Sequence, residues 1–330
     1  MPPQYRFRKK FPTGKALLGL LAVVYALYLL VFGQFVVGWV TGSSADGVSE
    51  HAVDGSPTTV VNYWTTATMS SAIDADQLID NSSATSDFTQ ASVDTSAGKA
   101  ARQEGQAPAN SNIAYPLSTV GKIFFTNASG QNMVCSGTAV ISSNHNTVDT
   151  AGHCLYWNGD WVRNMIFCPQ YDSGKTPYGC WAARELEVPS GWINARVGDL
   201  HQDFGMAIVS PNGQGDLTDA VGGAGWAYNQ QLNAPFYAYG YPAAGQFDGQ
   251  TRQSCERQSA RSWQHAGGLV ISIPCNMTGG SSGGPWFILS DGNWYLNGHN
   301  DFTSIIQPGH MFSPYYDDTW YTLYNKAQNT

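Results

Sequence analysis

Apolar residues along the 330 positions fall into one long block followed, much later, by a series of short runs. The block covers residues 16–40, with a single amide, Gln34, and no charge. No polar position recurs in it at helical spacing, which argues against a half-exposed core helix. It is longer than the roughly 7–15 residues of a secretory-signal core and reaches the roughly 20 that span a bilayer. The short runs are 119–125, 133–141, 161–167, 205–209, 236–241, 269–273, 286–289 and 294–296. Gly, Asn, Asp and Ser clusters separate them, a spacing that predicts an all-β sandwich or barrel. Only the chain end reads as a helix, with Ser313-Pro314 as N-cap and first-turn proline, Asp317 and Asp318 early and Lys326 late.

Between block and runs, residues 46–112 are rich in Ser, Thr, Ala, Asp and Gly, with no Cys and one Trp, Trp64. Such a stretch buries too little apolar surface to offset chain entropy, so disorder or a propeptide is expected, with at most a short helix near 71–79. Three regions follow: 1–45 as signal peptide or membrane anchor, 46–114 as a disordered prosegment or stalk, and 115–330 as the folded domain.

Charge sharpens this division. The net charge of −8 averages five cations in the first 15 residues, with no acid before Asp46, against 11 cations and 24 acids afterwards. A basic start, an apolar block and the small residues Ser43-Ser44-Ala45 predict export. The domain is then secreted, or held outside the membrane by the N-terminal segment alone. No later basic cluster offers a nucleic-acid footprint, so nucleic-acid partners are excluded. Charged residues at 12% with 36 Gly, 17 Tyr and 11 Trp also argue against a helical bundle.

All six cysteines lie beyond residue 115, which suits an oxidising compartment and up to three disulfides. Six cysteines allow 15 pairings; pairing of neighbours would join Cys135 to Cys154, Cys168 to Cys180 and Cys255 to Cys275. No C-x-x-C occurs, so a zinc site is not expected, and no other metal or cofactor is called for.

Three strings carry candidate chemistry. Thr278-Gly-Gly-Ser-Ser-Gly-Gly-Pro-Trp286 surrounds a serine pair with four glycines, which lets the backbone turn tightly and present N–H groups to one point. A serine nucleophile needs such donors beside it. A flexible linker has similar composition, but linkers do not run straight into an aromatic strand such as Pro-Trp-Phe-Ile-Leu. A base is required as well, and His153 sits in Asp149-Thr-Ala-Gly-His-Cys154, where small residues precede it and a cysteine can pin it. For the carboxylate that orients the imidazole, Asp203 heads the apolar run Asp-Phe-Gly-Met-Ala-Ile-Val209, whereas its rival Asp199 heads none.

TAGHC at 150–154, DFGMAIV at 203–209 and GGSSGGPW at 279–286, in that order, resemble the trypsin/chymotrypsin family of serine endopeptidases. The resemblance spans about residues 115–330 and implies two six-stranded antiparallel β-barrels, about 115–210 and 225–330, with the active site between them. It implies Ser282 as nucleophile, His153 as general base then acid, and Asp203 as orienter. The N–H groups of Gly280 and Ser282 would form the oxyanion hole, and protein or peptide chains would be the substrates. It also supports the Cys135–Cys154 bridge.

Ser281 stands where the animal enzymes carry an aspartate that pairs with a freed N-terminus, so that activation salt bridge is not expected. YPLSTVGKIFF at 115–125 is closer to the bacterial and fungal glutamyl-endopeptidase-like branch. That branch places a histidine in the pocket for the residue before the cut, a role His299 would fill with Thr278. Asn276, where trypsins use aspartate, disfavours a basic preference.

Two other readings compete with this one. Gly280-x-Ser282-x-Gly284 matches an α/β-hydrolase elbow, but Pro285 and the aromatic strand stand where that fold needs a helix. A catalytically inactive homologue serving as a binding module would normally lose a triad member, and all three are present.

Overall fold

The computed structural model describes residues 46–78, 88–93, 99–108, 114–194, 199–304 and 307–330. The apolar block 16–40 and the small residues 43–45 lie outside the described residues. Among the described residues no helix is long and apolar enough to cross a membrane.

Strands Val120–Thr126, Asn132–Val140, Thr147–Ala151, Phe204–Val209, Trp181–Pro189 and Arg163–Pro169 pair antiparallel in that cyclic order, and the last returns to the first to close a barrel. Ile123, Phe125, Met133, Ala139, Val148, Leu186 and Ala207 fill its interior cluster. The alternate residues Phe124, Val134, Phe204 and Met206 join a second cluster with Tyr239, Phe287 and Trp320. Both faces of Val120–Thr126 and Phe204–Val209 are therefore buried, which is why 123–125 and 204–209 read as apolar runs.

The second half contributes strands Gly225–Tyr228, Phe236–Gly240, Gln253–Gln258, Arg261–His265, Gly268–Pro274, Pro285–Ser290, Asn293–His299 and His310–Pro314. Ile271, Ile273, Trp286, Ile288 and Met311 form their shared core. The architecture is all-β and trypsin-like with two barrels, as expected, with two differences of detail. The second barrel divides into two sheets, and Gly225–Tyr228 runs parallel to Asn293–His299.

The C-terminal helix is present but starts later than expected, at Asp318–Ala327. Its N-cap is Asp317, whose carboxylate accepts from the N–H groups of Thr319 and Trp320. Ser313-Pro314 instead ends a strand, because 310–314 pair with Gly268–Pro274 and hold the backbone extended. Trp320, Leu323, Tyr324 and Ala327 are buried along the helix.

The expectation of disorder across 46–114 is corrected for the described part of it. Val48–Ala52 pairs with Trp181–Pro189 outside the first barrel, and Ile73–Asp74 runs parallel to Asn132–Val140. Between them lies helix Pro57–Tyr63, with Ser56 as N-cap and Pro57 in the first turn. In place of a helix at 71–79 there is this two-residue strand and a 3₁₀ turn, Ala75–Leu78. Further on, Thr89–Ala91 and Ala101–Gln103 add edge strands to the second half's two sheets. Composition misled because the segment builds no core of its own. Val60 and Trp64 are buried in the cluster that holds Phe124, and the Trp64 and Phe124 rings lie 5.4 Å apart. The Trp64 indole N–H donates to the Asn164 carbonyl at 2.6 Å.

All six cysteines are paired, as Cys135–Cys154, Cys168–Cys180 and Cys255–Cys275. The first closes a loop of 19 residues, for which chain entropy gives about 3 kcal/mol. Replacing Cys135 and Cys154 together by alanine is expected to lower unfolding free energy by about 3 kcal/mol, read from guanidinium unfolding with midpoint and slope both fitted, since a less constrained denatured chain exposes more surface.

Candidate active site

Strand pairing brings the first two candidates together. Phe204 faces Ala151 across the antiparallel ladder, so Asp203, one residue earlier, lies beside Gly152 and His153, which follow Ala151 in a single 3₁₀ turn. The turn is tight against the carboxylate. A Cβ on Gly152 would come within 2.9 Å of Asp203 Oδ1 and 2.8 Å of the Phe204 carbonyl, so no larger residue fits. Asp203 Oδ1 accepts the backbone N–H of His153 at 2.7 Å, and Oδ2 lies 2.9 Å from the ring Nδ1. Asp199 is paired with His201 instead, at 2.5 Å.

Ser282 comes from the second half, on the turn before Pro285–Ser290. Its carbonyl accepts the Ser136 N–H at 2.7 Å, and the Gly283 N–H donates to the Asn300 carbonyl at 2.7 Å. Gly283 has φ +79°, and a Cβ there would meet Thr150 Oγ1 and the Ser136 carbonyl. Ser281 is fully buried; its N–H and hydroxyl donate to the Thr278 carbonyl, and its carbonyl accepts from the Gly284 N–H and Asn300 Nδ2. Neutral hydrogen bonds thus hold the turn where a salt bridge would otherwise do so. The N–H groups of Gly280 and Ser282 stay outside this bonding. Ser136, which the sequence did not single out, fixes the turn to the first barrel: its hydroxyl donates to the Gly280 carbonyl and accepts the Tyr241 N–H.

Two aspartates complete the site, and neither was singled out from sequence. The Ser282 hydroxyl donates to Asp76 Oδ1 at 2.8 Å, an atom 3.4 Å from His153 Nε2. That ring nitrogen makes no hydrogen bond. A carboxylate from the N-terminal segment therefore accepts the hydroxyl's hydrogen bond at the place where the imidazole would do so. Asp301 lies on the other side, its Oδ1 3.4 Å from His153 Nδ1 and its carbonyl 3.2 Å from the Ser282 hydroxyl. Burial alone would lower the His153 pKa, but the charge and hydrogen bond of Asp203, then Asp301 and Asp76, outweigh it and hold the imidazole well above its usual value. Burial likewise acts to raise Asp203, and the facing His153 overrides it and keeps Asp203 below the ordinary carboxylate range.

The residues expected to bind the substrate side chain are not gathered. Asn276 is exposed. The Thr278 hydroxyl is committed to the backbone of Ala244, donating to its carbonyl at 2.8 Å. His299 is fully buried: Nδ1 is 3.0 Å from the Tyr316 hydroxyl, and Nε2 donates to the Asp203 carbonyl at 3.1 Å. The pocket role for His299 is corrected accordingly, because both ring nitrogens serve the interior. Asp149, next to the His153 string, belongs to the same interior network and accepts from the Tyr316 hydroxyl and the Trp320 indole.

For a metal, two groups of side chains in the described residues besides His153, Asp203 and Asp301 bring three ligand atoms together. One is the Cys135–Cys154 disulfide beside His153, whose sulfurs are not thiolates. The other is Glu50, Glu185 and Glu187, and there Lys326 already supplies a cation 2.8 Å from Glu50.

Comparison with solved structures gives similarity to a thermostable serine protease, AL20, from an extremophilic microorganism. It is 38% identical over 65% of this chain and all of that one, with a TM-score of 0.58. Protease Anisep from Arthrobacter nicotinovorans is 35% identical over 68% of this chain and all of that one, with a TM-score of 0.57. No family model and no curated protein matches the chain.

Proposed function

The chain belongs to the trypsin/chymotrypsin-like family of serine peptidases, and from that membership we propose that it cuts peptide bonds with the triad Ser282, His153 and Asp203 and is latent while Asp76 rests on the nucleophile. The paired hydrogen bonds from His153 to Asp203, with Ser282 on the facing turn, carry the first part of this reading.

In the released enzyme Ser282 Oγ attacks the scissile carbonyl while His153 Nε2 takes its proton. Asp203 stabilises the imidazolium and keeps Nε2 free to accept. The oxyanion of the tetrahedral intermediate is held by the N–H groups of Gly280 and Ser282, each such donor being worth about 3–4 kcal/mol. The imidazolium then protonates the leaving amine, and water repeats the sequence on the acyl-enzyme, returning Ser282 and a free carboxylic acid.

Latency follows from what Asp76 presents. A carboxylate is a poor electrophile with no amine to expel, so Ser282 has nothing to cleave. Its hydroxyl proton is engaged, and the place beside His153 Nε2 is taken. The first 45 residues fit an export signal or anchor and three disulfides suit an oxidising compartment, which together support a location outside the cell.

Labelling with a fluorophosphonate tests the reading. An adduct on Ser282, located by peptide mass spectrometry and absent after Ser282→Ala, is the expected result. A folded, released protein that takes up no label would instead indicate an inactive homologue.

A further inference from the structure

Asp301 is fully buried within 4.8 Å of both His153 and Asp203, yet neither carboxyl oxygen receives a hydrogen bond from any N–H, O–H or cationic group. We propose that Asp301 is a positioning residue of the catalytic centre, whose carboxyl O–H donates to Asp203 and so fixes the carboxylate that orients His153. The proposal rests on the triad assignment above.

Proton supply around the site decides which carboxyl is which. Asp203 accepts two N–H groups, from the backbone and ring of His153, and so is the ionised member. Asp301 is offered only the far side of the same Nδ1, at 3.4 Å, whose proton already points to Asp203 at 2.9 Å. A second buried carboxylate beside the first would be uncompensated, whereas a proton on Asp301 turns the repulsion into a hydrogen bond. Burial and the charge of Asp203 both push the Asp301 carboxyl well above the ordinary carboxylate range. The titratable groups facing it are His153 and Asp203 from the first barrel and Tyr316 from the segment before the C-terminal helix, with Asp76 beyond His153.

Nor is the side chain free to swing away. The Asp301 N–H donates to the Phe312 carbonyl at 2.9 Å, the Phe312 N–H returns to Phe302 at 2.8 Å, and the Asp301 carbonyl lies 3.2 Å from the Ser282 hydroxyl oxygen. Asp301 thus lies beside the nucleophile through its backbone and within 4.8 Å of the orienter through its side chain.

Two measurements on the full-length chain test this, the kinetic one with Asp76→Ala also present so that the site is open. In infrared difference spectra at neutral pH, wild type minus Asp301→Asn, a protonated carboxylic-acid carbonyl band is expected; its absence overturns the proposal. In kinetics, Asp301→Ala is expected to lower kcat about tenfold with KM little changed, the size of one lost hydrogen bond to a charged group. Asp301→Asn, whose amide can still donate to Asp203, should recover activity to within about threefold of the parent and abolish the fall of kcat at alkaline pH that ionisation of Asp301 produces. Equal losses in the two variants, or a lowered melting temperature with kcat intact, would refute the positioning role. A parent that hydrolyses no peptide would sink the triad assignment, and the infrared band would still decide the state of Asp301.

Discussion

Asparagine at position 203 is expected to lower kcat by about 10⁴-fold, the loss known for a triad Asp→Asn change, while leaving the fold intact. The carboxylate now accepts at both oxygens, from the His153 backbone N–H at 2.7 Å and from ring Nδ1 at 2.9 Å. An amide keeps one of these bonds but turns its NH₂ toward the other. If the NH₂ faces Nδ1, the imidazole must accept there and carry its proton on Nε2, where it can no longer take one from Ser282. Steady-state kinetics in the Asp76→Ala background, with circular dichroism as a check on folding, reads this directly. Retention of activity would mean that Asp301, not Asp203, orients the imidazole.

Removing the Asp76 carboxylate is expected to raise the rate of fluorophosphonate labelling of the full-length chain about 10- to 100-fold at neutral pH. A hydrogen bond to a charged group is worth about 1.5–3 kcal/mol, and the Ser282 hydroxyl makes such a bond to Asp76 at 2.8 Å. The pH dependence has a definite sign. Docked Asp76 helps raise His153 above its ordinary value near 6.5, so the docked form binds a proton more tightly than the undocked one. That contribution to docking is fully present below about pH 6.5 and is lost as pH rises through the raised value. Labelling of the wild-type chain should therefore accelerate more steeply with alkalinity than labelling of Asp76→Ala, because wild type gains both a neutral base and a vacated site. Parallel profiles at equal rates would show that Asp76 does not restrain the nucleophile.

Strands with both faces buried were the easiest to read, since 204–209 carries no polar side chain and 120–126 and 132–140 carry one charge between them, Lys122. Trp181–Pro189 was not, because Arg184, Glu185 and Glu187 break its run, although it is the strand that closes the first barrel. Gln253–Gln258 and Arg261–His265 were missed for the same reason. The proposed triad was legible because small residues surround His153 and Ser282 and an apolar run follows Asp203, constraints that are local, as Gly152 against Asp203 illustrates. Asp76 was not, being 206 positions from Ser282 in a stretch whose composition suggested no order. His299 went astray through register. Its strand pairs so that His299 faces Pro285, and the ring turns toward Tyr316 and the Asp203 carbonyl.

All three disulfides lie between Cys135 and Cys275, so no covalent bond other than the main chain joins Asp76 to the nucleophile it covers. While the chain is continuous, that carboxylate faces Ser282 at the effective concentration of a tethered ligand, on the order of millimolar for a short flexible link. One cut between Asp76 and Cys135, upstream of every bridge, converts the contact into an ordinary bimolecular equilibrium. Dilution then favours dissociation, and released segments accumulating in a confined volume would slow it by mass action.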